Sequence, residues 1–304
     1  MKGSKWLRLA GALLTALFTV YLLLDSFVIE KSYAAVPETE SAAVLQTAAE
    51  EEKAPTRSIA LPDDAALLGS YSDQDTEIKL YTFRFDDTRV YAADVIVGSA
   101  LSLRTALAGN AYGRNLTDKT SSMAAEKDAL LAINGDFYGS RDSGLVIRNG
   151  VLYRDDGSQG ESLVIYSDGS FEILEAGTKS GEELLAAGAW QAFSFGPGLV
   201  EDGAVSVSAF EEVGRSMASN PRTAIGVIEP GHYIFLVSDG RTSESAGLSL
   251  ARLAELMASL GCAQAYNLDG GGSSAMVFQG AVVNKPTTNG RKIAERSVSD
   301  IVYV

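Results

Sequence analysis

Residues 78–85 and 90–97 alternate apolar and polar character at period two, with Asp86-Asp87 at the turn between them. Successive side chains of a strand point to opposite faces, so the pattern predicts a β-hairpin with one buried face. Similar signals recur along the chain. Residues 144–153 form a second hairpin pattern around Asn149-Gly150, a strong turn dipeptide, and residues 163–166 and 171–174 pair across Ser167-Asp168-Gly169. Residues 129–133, 224–228, 233–237, 281–283 and 301–304 are further strand-like apolar runs. One clear helix is predicted over residues 249–260, where Leu250, Leu253, Met257 and Leu260 share a face. Ser249 fits its N-cap, and Gly261 stands where a C′ glycine belongs. A short helix is expected over 180–187, whereas 101–118 reads as a loop or short helix. The pattern predicts an α+β fold, a single β-rich domain with mixed sheets and few helices.

The start of the chain does not belong to that domain. Lys2, Lys5 and Arg8 precede an apolar run over residues 9–24, which extends to Ile29 with Asp25 as its one full charge. The run is long enough to span a bilayer, and its positive N-terminal flank keeps that end in the cytoplasm. The expectation is a single-pass cell-membrane protein with an extracytoplasmic domain. The competing reading is a cleaved signal peptide, for which Ser32-Tyr33-Ala34 offers a small-x-small site and which would secrete the domain. Residues 36–64 are rich in Ala, Glu, Pro, Ser and Thr around Glu50-Glu51-Glu52 and read as a disordered acidic linker holding the domain off the membrane. The expected organisation is therefore 1–35 anchor or signal segment, 36–64 linker and 65–304 domain.

Charge and composition exclude several chemistries. The net charge is −14, of which residues 65–304 carry −11, so bulk binding to nucleic-acid phosphates is excluded. The single cysteine, Cys262, cannot form an intramolecular disulfide and reads as a small buried hydrophobe. The single histidine, His232, lies in a hairpin-like Pro230-Gly231-His232-Tyr233. Without it, Ser-His-Asp triads and His-rich zinc sites fall away, and acid–base chemistry passes to carboxylates or tyrosines.

Four strand ends carry polar clusters. The most informative is Tyr266-Asn267-Leu268-Asp269-Gly270-Gly271-Gly272-Ser273-Ser274, a short apolar strand running through an acid into a glycine turn. Three glycines permit positive φ and close approach of a ligand, and successive free N–H groups would form a concavity for anionic oxygens. A plain β-turn capped by Asp269 is the alternative. The glycine spacing matches neither a Rossmann nor a Walker phosphate loop. The other clusters are Asn134-Gly135-Asp136-Phe137-Tyr138, Asn220-Pro221-Arg222-Thr223 and Asp239-Gly240-Arg241. Brought together, they would set three carboxylates and two guanidiniums beside the turn. That combination suits cleavage of a sugar–phosphate bond: the turn and Arg222 hold phosphate, one carboxylate stabilises or attacks the anomeric carbon, and another activates water. A calcium site made from these acids with Asn134 and Asn267 is a further possibility, although the spacing matches no EF-hand loop.

Taken together and in this order, the four motifs resemble those of the phosphodiester glycosidase family, over roughly residues 90–304. The resemblance implies an α+β domain with β-sheets at its centre and hydrolysis of a sugar-1-phosphodiester. The expected substrate is a cell-envelope or exopolysaccharide glycan, and no cofactor is expected. On that reading Asp269 is the first catalytic residue, with Asp136 or Asp239 second. Arg222, Arg241, Gly270, Gly271, Gly272, Ser273 and Ser274 contact phosphate or substrate, and Asn134 and Asn267 position the sugar. Asp136 stands where many members carry a second glycine. A non-catalytic glycan-binding or polysaccharide-assembly protein on the same scaffold is the alternative.

Overall fold

The computed structural model of the chain describes residues 2–37, 57–158, 160–207 and 219–304. Most of the expected linker, residues 38–56, lies outside the described residues.

An eight-stranded sheet organises the domain. Its order is Ala204–Val205, Gly198–Glu201, Gln264–Asn267, Arg222–Glu229, His232–Ser238, Thr88–Val97, Thr76–Phe85 and Ala66–Ser72. Two five-stranded sheets accompany it. One runs Ala281–Val282, Met276–Phe278, Leu131–Asn134, Asp300–Tyr303, Arg104–Leu107. The other runs Phe171–Leu174, Ser162–Tyr166, Ala189–Phe193, Val146–Arg148, Val151–Arg154. Every described pairing is antiparallel, so the sheets are not mixed as expected. Many sequence neighbours pair directly through tight turns, which only antiparallel strands allow.

The packing follows the alternation. One face of the large sheet, with Ile78, Leu80, Val95, Tyr233, Phe235 and Tyr266, buries against Leu131, Ile133, Val302, Leu163 and Phe193 of the smaller sheets. The opposite face, with Phe83, Ala92, Ala224, Ile234 and Leu236, is covered by Leu253, Leu256 and Met257 of the helix Leu250–Ser259. Each of the Leu, Ile, Val, Phe and Met side chains contributes about 1.5–3 kcal/mol when fully buried. The helix and the segment after it pack so closely that a Cβ on Gly226 would lie 2.8 Å from Met257 Cε and 2.6 Å from Cys262 Sγ. Cys262 is buried, and burial pushes its thiol up to about 12. His232 is fully buried against Asp94, with Nε2 2.6 Å from Oδ1, in the hairpin turn at the far end of its strand from Ser238.

Local signals hold in detail. Asn149 and Gly150 take φ of +50° and +74°, as a two-residue hairpin turn requires. Ser249 accepts from Arg252 N, and Ser180 forms a capping box with Glu183. Residues 101–118 depart from expectation, because they hold the strands Arg104–Leu107 and Ala111–Arg114 around a 3₁₀ turn. Helix Thr120–Glu126 is an addition to the expected elements, and its N-cap, Lys119, makes no side-chain capping bond that would mark its start.

Both described flanks of the expected linker touch the domain. Strand Lys31–Ala35, four positions beyond the end of helix Lys2–Phe27, pairs antiparallel with Ala111–Arg114. On the other flank, Ile59, Leu61 and Ala65 pack on the helix-covered core, and Ala60 N–H donates to Leu260 O at 3.2 Å.

Candidate active site

Register sets several polar strand ends level. Arg222 lies opposite Ser238, Ala224 opposite Asn267, and Asn134 opposite Ile301. The glycine turn leaves the end of strand Gln264–Asn267 and closes as a 3₁₀ turn over Gly271–Ser273, with Gly271 at φ +64°. Its amides are mostly committed. Gly271 N–H donates to Pro221 O at 2.8 Å, and the N–H groups of Ser273 and Ser274 donate to the carbonyls of Gly270 and Gly271 at 3.3 Å. The Gly270 N–H bonds the Asp269 carboxyl. The expected row of free amides is thus used to close the turn, and anion binding passes to the side chains around it.

Asp269 is 7% exposed. Its Oδ2 accepts from Ser273 Oγ at 2.5 Å and from Arg296 Nη2 at 3.3 Å. Arg296 Nε also donates to Ser273 Oγ at 3.0 Å. Burial raises the proton affinity of Asp269, while the Ser273 hydroxyl, the Arg296 charge and the Gly270 N–H oppose that shift. Arg241 closes over the same turn. Its Nε and Nη2 donate to Asn220 Oδ1 at 3.1 and 2.9 Å, and its Nη1 donates to Thr288 O at 2.6 Å. A Cβ on Gly271 would stand 2.8 Å from Arg241 Nη2, so the glycine admits the guanidinium. Burial and the neighbouring Arg296 charge lower the pKa of Arg241. Two guanidiniums, both with exposed surface, therefore flank one buried carboxyl.

Below the turn, Asn134 is completely buried. Its Nδ2 donates to Asp269 O at 2.6 Å, and its Oδ1 accepts from Thr223 Oγ1 at 2.8 Å and Ala275 N at 3.3 Å. That saturates the amide, so Asn134 braces the turn and does not position a sugar.

Asp136 belongs to a buried ionic triad. Arg148 Nη2 lies 3.0 Å from Asp136 Oδ2 and 2.8 Å from Asp300 Oδ2, and Arg148 Nε donates to Asp300 Oδ2 at 2.9 Å. Asp136 also accepts from the N–H groups of Tyr138 at 2.9 Å and Ser194 at 3.2 Å. All three charged side chains are at most 3% exposed. Asp136 is thus committed to the fold, which argues against it as the second catalytic carboxylate. Asp300 is pushed up to about 8, chiefly by burial, with Arg148 pulling the other way. Its Oδ1 sits 2.4 Å from where a Cβ of residue 135 would be, which accounts for the glycine between Asn134 and Asp136.

Asp239 faces elsewhere. It lines a cavity of about 370 Å³ with Tyr91, Arg89, Thr242 and Lys285. Its Oδ1 accepts from Lys285 N at 2.8 Å and Asn284 Nδ2 at 3.3 Å, and the same Nδ2 donates to Ser274 O at 3.0 Å. Asn284 thus links Asp239 to the far side of the turn, and burial raises the Asp239 proton affinity. Arg222 is 7% exposed and donates through Nε to Leu248 O at 2.9 Å. Asn267 Nδ2 donates to Gly196 O at 2.7 Å. The buried Asn267 Oδ1 and Ser274 Oγ have no hydrogen-bond partner.

Sequence reading missed Arg296, Arg148 and Asp300. Arg296 lies in a segment without period, and the other two meet 152 residues apart. No group of three or more His, Cys, Asp or Glu side chains that could hold a metal ion occurs among the described residues.

A family model described as phosphodiester glycosidase matches residues 127–304. The uncharacterized SPbeta prophage-derived protein YomE of Bacillus subtilis (strain 168) is 30% identical over 199 residues, which is 64% of this chain and 30% of that protein. N-acetylglucosamine-1-phosphodiester alpha-N-acetylglucosaminidase of Mus musculus is 39% identical over 66 residues, 22% of this chain and 13% of its own length. The chain therefore spans less than a third of each of these curated relatives. Among solved structures, the zebrafish N-acetylglucosamine-1-phosphodiester alpha-N-acetylglucosaminidase catalytic domain, auto-inhibited by its pro-peptide, shares the fold. The TM-score is 0.61 at 20% identity, over 90% of this chain and 95% of that one. A hypothetical protein from Synechocystis gives a TM-score of 0.51 at 16% identity, over 76% of this chain and 62% of that one.

Proposed function

The chain belongs to the phosphodiester glycosidase family, and on that premise we propose that it hydrolyses the bond between a sugar's anomeric carbon and a phosphodiester oxygen. N-acetylglucosamine is the first sugar to test, because the mouse relative's name specifies it. The observation that carries the reading is the convergence of Arg241 and Arg296 on the Asp269–Ser273 turn.

The phosphodiester's anionic oxygens bind to the outward surfaces of the two guanidiniums, through charge-assisted hydrogen bonds worth about 1.5–3 kcal/mol each. Arg296 also holds Asp269 in place. The anomeric carbon–oxygen bond then breaks, and the phosphomonoester leaves with the bonding electrons. Its low basicity makes a strong general acid unnecessary. Positive charge develops on the sugar beside Asp269, whose carboxylate stabilises it. Water adds to the anomeric carbon and gives up its proton to the surrounding solvent, because Asp239 opens into a separate cavity. The helix Lys2–Phe27 anchors the protein in the cell membrane, with the domain outside the cytoplasm and its substrate an envelope or exopolysaccharide glycan.

The test is phosphomonoester release from N-acetylglucosamine-1-phosphodiesters by the full-length protein and by Asp269→Asn. The substitution should reduce turnover at least about a hundredfold, in line with losing a preorganised charge-stabilising group, while leaving the far-UV spectrum unchanged. Turnover within threefold of the parent protein would remove Asp269 from the mechanism. Saturable glycan binding without hydrolysis of any donor would favour the binding-protein alternative.

A further inference from the structure

The strand between the apolar helix and the domain fixes how the domain stands on the membrane. Building on the anchor reading above, we infer that the rim formed by strand Ala111–Arg114, the Tyr138–Ser140 turn and residues 141–142 rests on the lipid headgroup layer. The domain does not hang at a distance on its acidic tether.

Three observations point to this surface. The first is length. The apolar stretch ends at Phe27 and the strand begins at Lys31. Four residues span at most about 14 Å even when fully extended, while the headgroup layer is about 5–8 Å thick on each side. Strand Lys31–Ala35 is therefore at or just above the headgroups, and its partner strand lies only about 5 Å farther away laterally. A free tether of the length of residues 36–64 would instead leave the domain on the order of 30 Å away.

The second observation is that the junction is bonded. Arg114 Nε donates to Ser26 O at 3.3 Å, Asn115 Nδ2 to Ile29 O at 3.0 Å, and Lys31 Nζ to Asp25 Oδ2 at 2.7 Å. Val36 N–H continues the attachment to Asn110 O at 3.2 Å. Cleavage after Ala34 would cut through this paired strand. The third observation is the chemistry of the rim. Tyr33 is 61% exposed against Tyr112, whose ring stacks on Tyr138 with centroids 5.3 Å apart, and Phe137 is also exposed. Arg114 and Asp142 pair beside them. Amphipathic aromatics with mixed charge at the end of an apolar helix suit the headgroup region.

The rim also reaches the candidate site. Val298 bridges to Asp118, and Gly139 packs on Ser299, where a Cβ would lie 2.5 Å from Ser299 Oγ. Arg296 is two residues from that bridge, about 7 Å along the chain. A phosphodiester bound by Arg296 is then presented close to the membrane surface.

Fluorescence quenching tests the rim without any use of activity. Cys262 is buried, so Ser140→Cys on the rim and Gln74→Cys each give one reactive thiol. Gln74 is at the end of strand Thr76–Phe85 next to the His232 hairpin, about 25 Å from the Ser238 end. Full-length protein in vesicles with headgroup spin-labelled lipid should show at least twofold stronger quenching at Ser140→Cys than at Gln74→Cys. A ten-residue Gly-Ser insertion between Ile29 and Glu30 leaves the strand pairing available and should abolish the difference. Gly113→Ala should do the same, because its Cβ would overlap Lys31 O. Equal quenching in the parent protein, or quenching that the insertion leaves unchanged, would overturn the rim assignment. Failure of the chain to float with vesicles would instead overturn the anchor reading on which it rests.

Discussion

Removing the guanidinium of Arg148 is the sharpest structural perturbation available. Arg148→Met keeps much of the side-chain volume and deletes the one cation that, among the described residues, pairs with Asp136 and Asp300, which are 3% and 0% exposed. Breaking a buried ion pair by removing one partner costs about 3–5 kcal/mol, because the stranded charge has neither water nor counter-ion. For a domain of this size, about 2–4 °C of melting temperature is lost per kcal/mol, so thermal unfolding by circular dichroism should show a fall of about 6–20 °C. The deficit also depends on pH. Asp300 in the folded protein sits at about 8, above its ordinary value of 3.8. The folded state therefore binds its proton more tightly than the unfolded chain does. That contribution is complete below about pH 4 and is lost as pH rises through 8. Without Arg148 the shift increases, so the variant's deficit should be larger at pH 8 than at pH 5. Adding Asp136→Asn and Asp300→Asn to Arg148→Met should recover part of the loss. A fall below 2 °C, or a deficit that shrinks toward pH 8, would refute the ionic account of this cluster.

Three further outcomes follow from the same geometry. Gly135→Ala should lower stability by about 1–3 kcal/mol in a urea titration, because its Cβ would lie 2.4 Å from Asp300 Oδ1. Arg296→Ala should reduce kcat/KM for a glycosyl phosphodiester by about 10- to 150-fold, the loss of one charge-assisted bond, with little change in melting temperature. Gly271→Ala should weaken substrate binding in calorimetry, because its Cβ would displace Arg241 Nη2 from 2.8 Å.

What sequence made legible was local. The period-two hairpins, the Asn149-Gly150 turn and the Ser249 cap depend on residues a few positions apart, and they appear as expected. The glycine turn at Asp269 was also recognisable, because only glycine tolerates the close approach of Arg241. What sequence concealed was pairing over distance. Arg148 reads as one polar residue in a hairpin strand, yet it neutralises carboxylates on two other segments. Arg296 carries no periodic signal and matters only because its segment folds back onto Ser273. Conversely, the expectation of free amides failed because a turn that short uses its own N–H groups to close. Convergence of the four clusters would set Asp136 and Asp239 beside Asp269, whereas Asp136 is tied to Arg148 and Asp239 lines a separate cavity.

The central claim is cleavage at the sugar carbon with phosphate as leaving group, and isotope incorporation tests it most directly. Hydrolysis of an N-acetylglucosamine-1-phosphodiester in ¹⁸O-labelled water, followed by mass spectrometry of both products, reports which bond broke. The predicted result is label in the anomeric hydroxyl of the released sugar and none in the phosphomonoester. Label in the phosphate product would mean attack at phosphorus, and it would contradict the proposed roles of Asp269, Arg241 and Arg296.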